Sequence, residues 1–469
     1  MTERMSSNLS RMELDHNRRL FNEVGPFYTS YPTLGLWSSE YDNSTYFRAL
    51  EDLFNDQGDN VPLALYVHVP FCAKLCWYCI CNIKISNNHK IIQEFTNYLT
   101  REIDLLSNCF RKLSVRPNFR DVHLGGGTPS HLDDAQFAQM MDGLGKLIDL
   151  ESLDELTMEI DPRTTSQDNL HYFADKGVTR ISFGIQDFDA RVQEAINRMQ
   201  PPEMVAKLLS PDVRARFTGV NFDLLYGLPM QTRETFRRTT ELVKEIDPER
   251  ITLLKYAHVP DVRKHMKLIK EEHLPPVEEL PMMFTETVET FLAAGYEWVG
   301  IDNFAKKGDK LADAVQNKVL GRDFNGWNTG QARHLLGLGP TSTSAFGCYY
   351  YQNLYSNKEY YEALDNDDFS ILRGYRLSDD DLLRRDVIFS ILCKQEIDFA
   401  ELGQRHGIDF ADYFVGELDA VQERFVEDGL VSVDDGRLNV SVWGRFFSRN
   451  ICRVFDKFWK DEDYKIIGP

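Results

Sequence analysis

No run of eighteen apolar residues occurs in this 469-residue chain, so no membrane-spanning helix is expected. The segment Met1 to Arg19 is polar and charged and lacks the apolar core of a signal peptide. Positive charge is in short supply. With 53 Lys and Arg against 73 Asp and Glu, the net charge is −20, which argues against nucleic acid or an anionic membrane as a partner. No repeat period and no low-complexity segment is evident. Cysteine is sparse outside one stretch: Cys109, Cys348, Cys393 and Cys452 stand singly among apolar neighbours and read as small buried hydrophobes. What remains is an ordinary globular composition, 42% hydrophobic and 27% charged, expected in the cytoplasm. The length suggests two or three domains, although one barrel can take ~250 residues.

The other four of the eight cysteines lie within Cys72 to Cys81, directly after the strand-like run Leu63 to Val69. The spacing Cys72-x3-Cys76-x2-Cys79 puts three thiolates on one short loop. Thiolate sulfur suits zinc or an iron–sulfur cluster. A structural zinc site on Cys72, Cys76, Cys79 and Cys81 is one reading, but the second knuckle common to zinc sites is missing downstream. A cluster on three cysteines keeps one iron open, whereas ordinary cluster sites use four.

Strand-like runs at Leu63–Val69, Asp121–Leu124, Leu156–Ile160, Arg180–Ile185, Val220–Tyr226 and Arg250–Tyr256 alternate with helical periodicity at 91–106, 134–148, 167–176 and 233–246. This predicts a parallel α/β sheet with crossover helices. Polar groups stand where the strands end: the cysteine loop, Gly125-Gly126-Gly127-Thr128-Pro129, Glu159 with Asp161, Gln186 with Asp187, Asp223, and Tyr256-Ala257-His258. Carboxyl ends of parallel strands share one face, where such folds put their sites. Before the barrel, Gly25 to Thr33 holds two prolines and three aromatics and reads as an extended arm. Later, 326–347 is rich in Gly, Thr and Ser and reads as loop and short strand. Helices at Asp379–Leu392 and Asp412–Glu427 followed by a hairpin suggest a winged-helix type of C-terminal domain, whose acidic surface favours a lid over nucleic-acid binding. The boundaries expected are 1–60 (arm and short helix), 61–365 (barrel with extension) and 366–469 (C-terminal lid).

Taken singly, these motifs have plain alternatives. The glycine run could be a tight turn, and Glu159 could pair with Arg163 or Arg180. Gln186, Arg198 and Asp223 matter only as a converging set.

The cysteine spacing, with Tyr78 before the last cysteine, resembles the cluster loop of the radical S-adenosylmethionine (SAM) enzymes. Read in order, Tyr66 to Asn82, His123 to Pro129, Glu159 to Arg163, Gly184 to Phe188, Asn197-Arg198, Asp223 to Pro229 and Tyr256 to His258 resemble the oxygen-independent coproporphyrinogen III oxidases. The likeness runs from Tyr28-Thr29-Ser30-Tyr31-Pro32-Thr33 to Arg449-Asn450-Ile451-Cys452. It implies a partial (β/α)6 TIM-like barrel with an N-terminal arm and a mainly helical C-terminal domain. By the same resemblance, Cys72, Cys76 and Cys79 would ligate a [4Fe–4S] cluster, and Tyr66, Gly126 and Glu159 would touch the SAM on its open iron. Tyr78, Gly127, Thr128, Gln186, Arg198, Asp223 and Ala257 match contacts to a second SAM. Cys81 matches a family cysteine that is not a cluster ligand. No side chain is expected to do acid–base chemistry; a 5′-deoxyadenosyl radical abstracts hydrogen. The implied reaction is conversion of propionates to vinyl groups in haem biosynthesis by a monomer, with an electron donor such as flavodoxin or ferredoxin.

Four positions depart from the family pattern: Phe27 for an arginine, Ile80 for a glycine beside the cluster, Asn303 for a histidine, and Gly330 for a glutamine. They fall in segments expected to meet substrate, where propionates need charge-assisted partners. Methyl or methylene transfer to a natural product, cyclopropane formation, and porphyrin ring opening are therefore alternative reactions.

Overall fold

A computed structural model describes residues 25–460; the expected arm before Gly25 lies outside them. The chain forms two compact units, each assembled from separate stretches. The larger comprises Ser38–Thr287 and Gln331–Arg376. The smaller comprises Val288–Gly330, the described residues up to Trp37, and those from Leu377 onward.

In the larger unit six parallel strands follow one another: β1 (Pro62–Val69), β2 (Asn118–Gly126), β3 (Glu155–Ile160), β4 (Arg180–Gln186), β5 (Gly219–Tyr226) and β6 (Arg250–Lys255). Helices such as His89–Leu113, Asp134–Leu147, Gln167–Asp175 and Arg233–Ile246 make the crossovers. Alternation decides what each strand offers. Leu63, Leu65, Val67 and Val69 are wholly buried on one face of β1, which leaves Tyr66 and His68 together on the other. Helix starts are fixed by side-chain caps, as where Asp133 accepts from the Gln136 amide and Thr232 from that of Thr235.

The stretch 326–347, expected as loop and short strand, holds short strands that extend the main sheet. His334–Leu338 pairs parallel with the free edge of β1, and Thr343–Phe346, Tyr349–Asn353 and Ile371–Arg376 continue the sheet antiparallel. Its small residues serve close approach: a Cβ on Gly337 would lie 2.5 Å from the Thr343 carbonyl oxygen. Glu102, buried on the helix His89–Leu113, fastens this extension. It accepts from the Gly339 amide at 2.6 Å, Asn353 Nδ2 at 3.0 Å and the Tyr360 hydroxyl at 2.8 Å.

In the smaller unit, Tyr296–Val299 and Asn303–Lys306 form an antiparallel hairpin. Arg445 donates to the carbonyls of Trp298 and Gly300, and its guanidinium lies 4.2 Å from the Trp298 ring centre. The arm packs here too, with the Tyr28 hydroxyl donating to Asp456 Oδ2 at 3.0 Å. Boundaries at 60/61 and 365/366 therefore miss the compact units, because 288–330 packs with the C-terminal helices and 331–376 with the barrel strands. The expected helix Asp412–Glu427 is also broken, into Phe410–Tyr413, Val415–Val421 and a wider turn at Gln422–Val426. Phe414 leaves helical geometry between them (φ −105°, ψ 26°), and its ring meets those of Phe410 and Phe455. The hairpin Val431–Asp434 and Arg437–Val440 gains a third strand, Glu396–Asp398. Gly330 takes a left-handed φ of +71°, and a Cβ there would collide with the Val319 carbonyl oxygen.

Candidate active site

Just past the end of β1, Phe71–Cys72 pairs with Lys84–Ile85, so residues between them form a closed loop. All of its thiols are free; Cys72 and Cys76 are buried, Cys79 is half-buried and Cys81 exposed. Each of the three candidate ligands has a different neighbour. Thr128 Oγ1 donates to Cys72 Sγ at 3.3 Å. Arg163 Nη2 and Arg198 Nη1 both reach Cys76 Sγ at 3.4 Å. Cys81 hydrogen-bonds Cys79 and, with burial, pushes its thiol well up. Burial pushes the Cys72 thiol up to about 12, so an anionic sulfur there needs a cationic centre beside it.

Several anchors hold this loop. The Trp77 amide donates to the Ile196 carbonyl at 3.0 Å, and Asn197 Nδ2 to the Leu75 carbonyl at 2.8 Å. His265 Nε2 lies 2.8 Å from the Cys79 carbonyl oxygen. Trp77, Tyr78 and Ile80 pack against an apolar cluster that includes Ile196, Tyr256 and Met266. Ile80 thus packs on residues outside the loop. Among the described residues no His, Cys, Asp or Glu trio is gathered tightly enough for a single metal ion. Three thiols on one loop, hydrogen-bonded and partly shielded from water, fit a larger iron–sulfur cluster.

The glycine run at the end of β2 presses against this loop. A Cβ on Gly127 would lie 2.8 Å from the Phe71 carbonyl oxygen, and one on Gly125 2.6 Å from Glu159 Oε1. Gly126 has φ +112°, and its Cβ would lie 2.6 Å from His68 Nδ1. His68 Nε2 is 3.0 Å from the Asn82 carbonyl and Nδ1 is 3.1 Å from the Tyr66 hydroxyl. Burial lowers the basicity of His68, so the ring is neutral. Its Nε2–H donates to the carbonyl, Nδ1 accepts from Tyr66, and the tyrosine oxygen is left with lone pairs to offer a cation. In the β1–β2 register Tyr66 stands beside His123 and the rings stack. His123 Nε2 then reaches Glu159 Oε1 at 3.1 Å. The ion pair considered for Glu159 with Arg163 or Arg180 does not form: Arg163 pairs with Asp161, and Arg180 with Glu155.

Further round the sheet, Asp161 receives Arg163 Nε at 2.9 Å on Oδ1 and Nη2 at 2.7 Å on Oδ2, with Arg198 Nη2 3.8 Å away. Burial alone would raise this carboxyl, but the two arginines outweigh it and hold it down at about 2. Gln186 ends β4 with a left-handed φ of +65°, where the β4–β5 register slips by one residue. Its amide and the Arg198 guanidinium both lie over Gly184, and Arg198 Nε donates to the Gly184 carbonyl at 2.9 Å. On β5, Asp223 accepts from Ser182 Oγ at 3.1 Å and Asn221 Nδ2 at 2.8 Å. Burial, and then the charge of Glu159, pushes its carboxyl up to about 6. Ala257 follows β6 beside Tyr256, whose hydroxyl lies 2.8 Å from His258 Nδ1.

Contacts therefore join Cys72 to Thr128, Cys76 to Arg198, and Arg198 to Gln186 through Gly184; Tyr66 and Glu159 meet through His123. Ala257 joins the set by chain position alone. Sequence reasoning quoted His68, His123 and Asn197 within matching motifs without giving them a role, passed over His265, and treated Arg163 only as a counter-ion. Alternation on β1 could have found His68, two residues from Tyr66 on the same face.

A model of the radical SAM superfamily matches residues 66–243, and one of the HemN C-terminal domain matches 377–447. The chain is 35% identical over 457 residues to oxygen-independent coproporphyrinogen III oxidase of Salmonella typhimurium, spanning 97% of this chain and 98% of that protein. The Pseudomonas aeruginosa protein of the same name is 36% identical over 450 residues, 96% of each chain. The solved structure of coproporphyrinogen III oxidase (HemN) from Escherichia coli, described as a radical SAM enzyme, superposes with a TM-score of 0.86 at 35% identity, over 92% of this chain and 98% of that one. No helix of the described residues is long and apolar enough to cross a membrane. The radical SAM superfamily works with a [4Fe–4S] cluster and SAM, and the end-to-end likeness assigns this chain, as a radical SAM enzyme, to the oxygen-independent coproporphyrinogen III oxidase family.

Proposed function

We propose that this enzyme oxidatively decarboxylates coproporphyrinogen III, turning propionate side chains into vinyl groups. For each propionate, one hydrogen atom leaves the β-carbon, CO2 departs, and one further electron passes to an external one-electron acceptor. The carrying observation is the cysteine loop, with its three thiols and their separate donors, in a chain that matches the named oxidases from end to end. Cys72, Cys76 and Cys79 hold the cluster in this reading. When bound, the reduced cluster and SAM supply a carbon radical able to remove hydrogen from an unactivated C–H bond.

The chain's own part is orientation and exclusion of water. Tyr66 offers its oxygen lone pairs, Gly126 its backbone, and Glu159 a carboxylate to the SAM on the open iron. Tyr78, Gly127, Thr128, Gln186, Arg198, Asp223 and Ala257 would line a second SAM. Trp77, Tyr78 and Ile80, packed on Tyr256 and Met266, keep water from one side of the cysteines. A small redox protein such as flavodoxin or ferredoxin supplies the electron, and the enzyme acts as a monomer.

The test is an anaerobic incubation of reconstituted protein with SAM, reductant and coproporphyrinogen III, read by mass spectrometry. Loss of two CO2 units with formation of 5′-deoxyadenosine is the expected result. Cleaved SAM beside untouched porphyrinogen would overturn the substrate assignment. Cys76→Ala should abolish both the visible absorbance of the cluster and SAM cleavage.

A further inference from the structure

Arg163 stands in a position that its role as counter-ion to Asp161 does not account for. Its side chain is only 11% exposed and that of Asp161 6%. Nε and Nη2 grip the carboxylate, Nη1 donates to the Asn197 carbonyl at 3.3 Å, and Nη2 also turns toward Cys76 Sγ at 3.4 Å. The grip on Asp161 fixes the plane of the guanidinium, and the Asn197 contact fixes its far end. Asn197 in turn holds the Leu75 carbonyl, so the arginine and the loop it addresses share one frame. Cys72 receives a neutral hydroxyl, whereas Cys76 receives two cations.

We propose that Arg163 is a positioning residue that sets the reduction potential of the cluster through Cys76. The inference rests on the reading above that Cys76 is a cluster ligand. Reduction adds a negative charge to the cluster, and part of it resides on the ligand sulfurs. A hydrogen bond from a buried cation stabilises that form more than the oxidised one and raises the potential. Asp161 works against this, since its carboxylate shares the same Nη2 and neutralises part of the charge. Arg163 thus holds a fixed donor on the sulfur while Asp161 limits how strongly it acts.

Opposite signs are therefore expected from two substitutions. Arg163→Met should lower the potential, by at least tenfold in the one-electron equilibrium with a mediator, equivalent to 59 mV. Asp161→Asn, which keeps an acceptor for the Arg163 amide but drops the charge, should raise it. Arg163→Lys keeps the charge without the planar fork and should fall between wild type and Met. The experiment is an anaerobic redox titration of each reconstituted protein without SAM, followed by electron paramagnetic resonance, with iron and sulfide counted. Potentials unchanged in all three variants at full cluster content would overturn the inference. So would a shift of the same sign in Arg163→Met and Asp161→Asn. If Arg163→Met fails to hold a cluster, the Lys and Asn variants decide. A wild-type protein that binds no cluster would instead overturn the assignment of Cys76.

Discussion

The Tyr66 hydroxyl lies 3.1 Å from Nδ1 of His68, and the opposite ring nitrogen of that histidine lies 3.0 Å from the carbonyl of Asn82. One buried imidazole therefore orients the proton on the Tyr66 hydroxyl and pins the chain where it leaves the cysteine loop.

His68→Phe keeps the ring's bulk and removes both hydrogen bonds. Leaving a buried partner unsatisfied costs about 1–3 kcal/mol. SAM affinity, measured by equilibrium binding to the reconstituted enzyme, should fall roughly tenfold or more, while cluster content stays near that of wild type. Loss of the cluster together with unchanged SAM affinity would contradict this account.

Gly127→Ala should be more damaging than Gly126→Ala. At Gly127 the new Cβ meets backbone, the Phe71 carbonyl oxygen at 2.8 Å and the Pro70 carbonyl carbon at 2.9 Å, which cannot move without shifting Cys72. At Gly126 it meets the His68 side chain and a strained φ of +112°. Iron content after reconstitution should drop for Gly127→Ala, whereas Gly126→Ala should bind iron and lose SAM affinity.

Gln186→Gly should stabilise the fold and harm the site. A non-glycine residue in the left-handed region costs about 1–2 kcal/mol, part of which glycine gives back through its greater freedom in the unfolded chain. Thermal unfolding of the cluster-free protein should show a melting point equal to or above that of wild type. Turnover should fall, because the amide over Gly184 is gone.

Glu102 gives a pH signature. Burial pushes its carboxyl up to about 7. Between the ordinary carboxyl range and that value, the folded protein holds a proton that the unfolded chain has released. Stability from this group therefore declines as pH rises through that window and is level above it. Glu102→Gln should flatten the decline in melting temperature between pH 5 and pH 8. An unchanged slope would mean that other groups carry it.

The parts of this protein that were legible in its sequence are those whose cause is local. The cysteine spacing, the apolar runs of β1 to β6 and the polar residues after them each show within a dozen residues, and the strands fall where the runs do. Contacts across register are another matter. His123 meets Glu159 because neighbouring parallel strands align, and Arg163 meets Cys76 across 87 positions. Neither pairing follows from spacing. Short strand was expected within 326–347, but its pairing with β1 was not legible, because the small residues there serve close packing more than β propensity. Likewise, the bulk of 288–330 carried no sign that it would pack with chain more than a hundred residues later, because Trp298 and Arg445 read alone as any aromatic and any cation.

The turn at Gly330 bears on how such enzymes can be re-engineered. Replacing a residue by the one a family resemblance leads one to expect commonly adds stability, and a glutamine at position 330 would look like a repair. Here a left-handed backbone, with the Val319 carbonyl against the Cβ direction, turns that repair into damage. A designer wanting the amide must move the whole loop or use Gln331, the neighbour already carrying one. Conformity to a family is safe to impose on residues, but only after the backbone has been shown to agree.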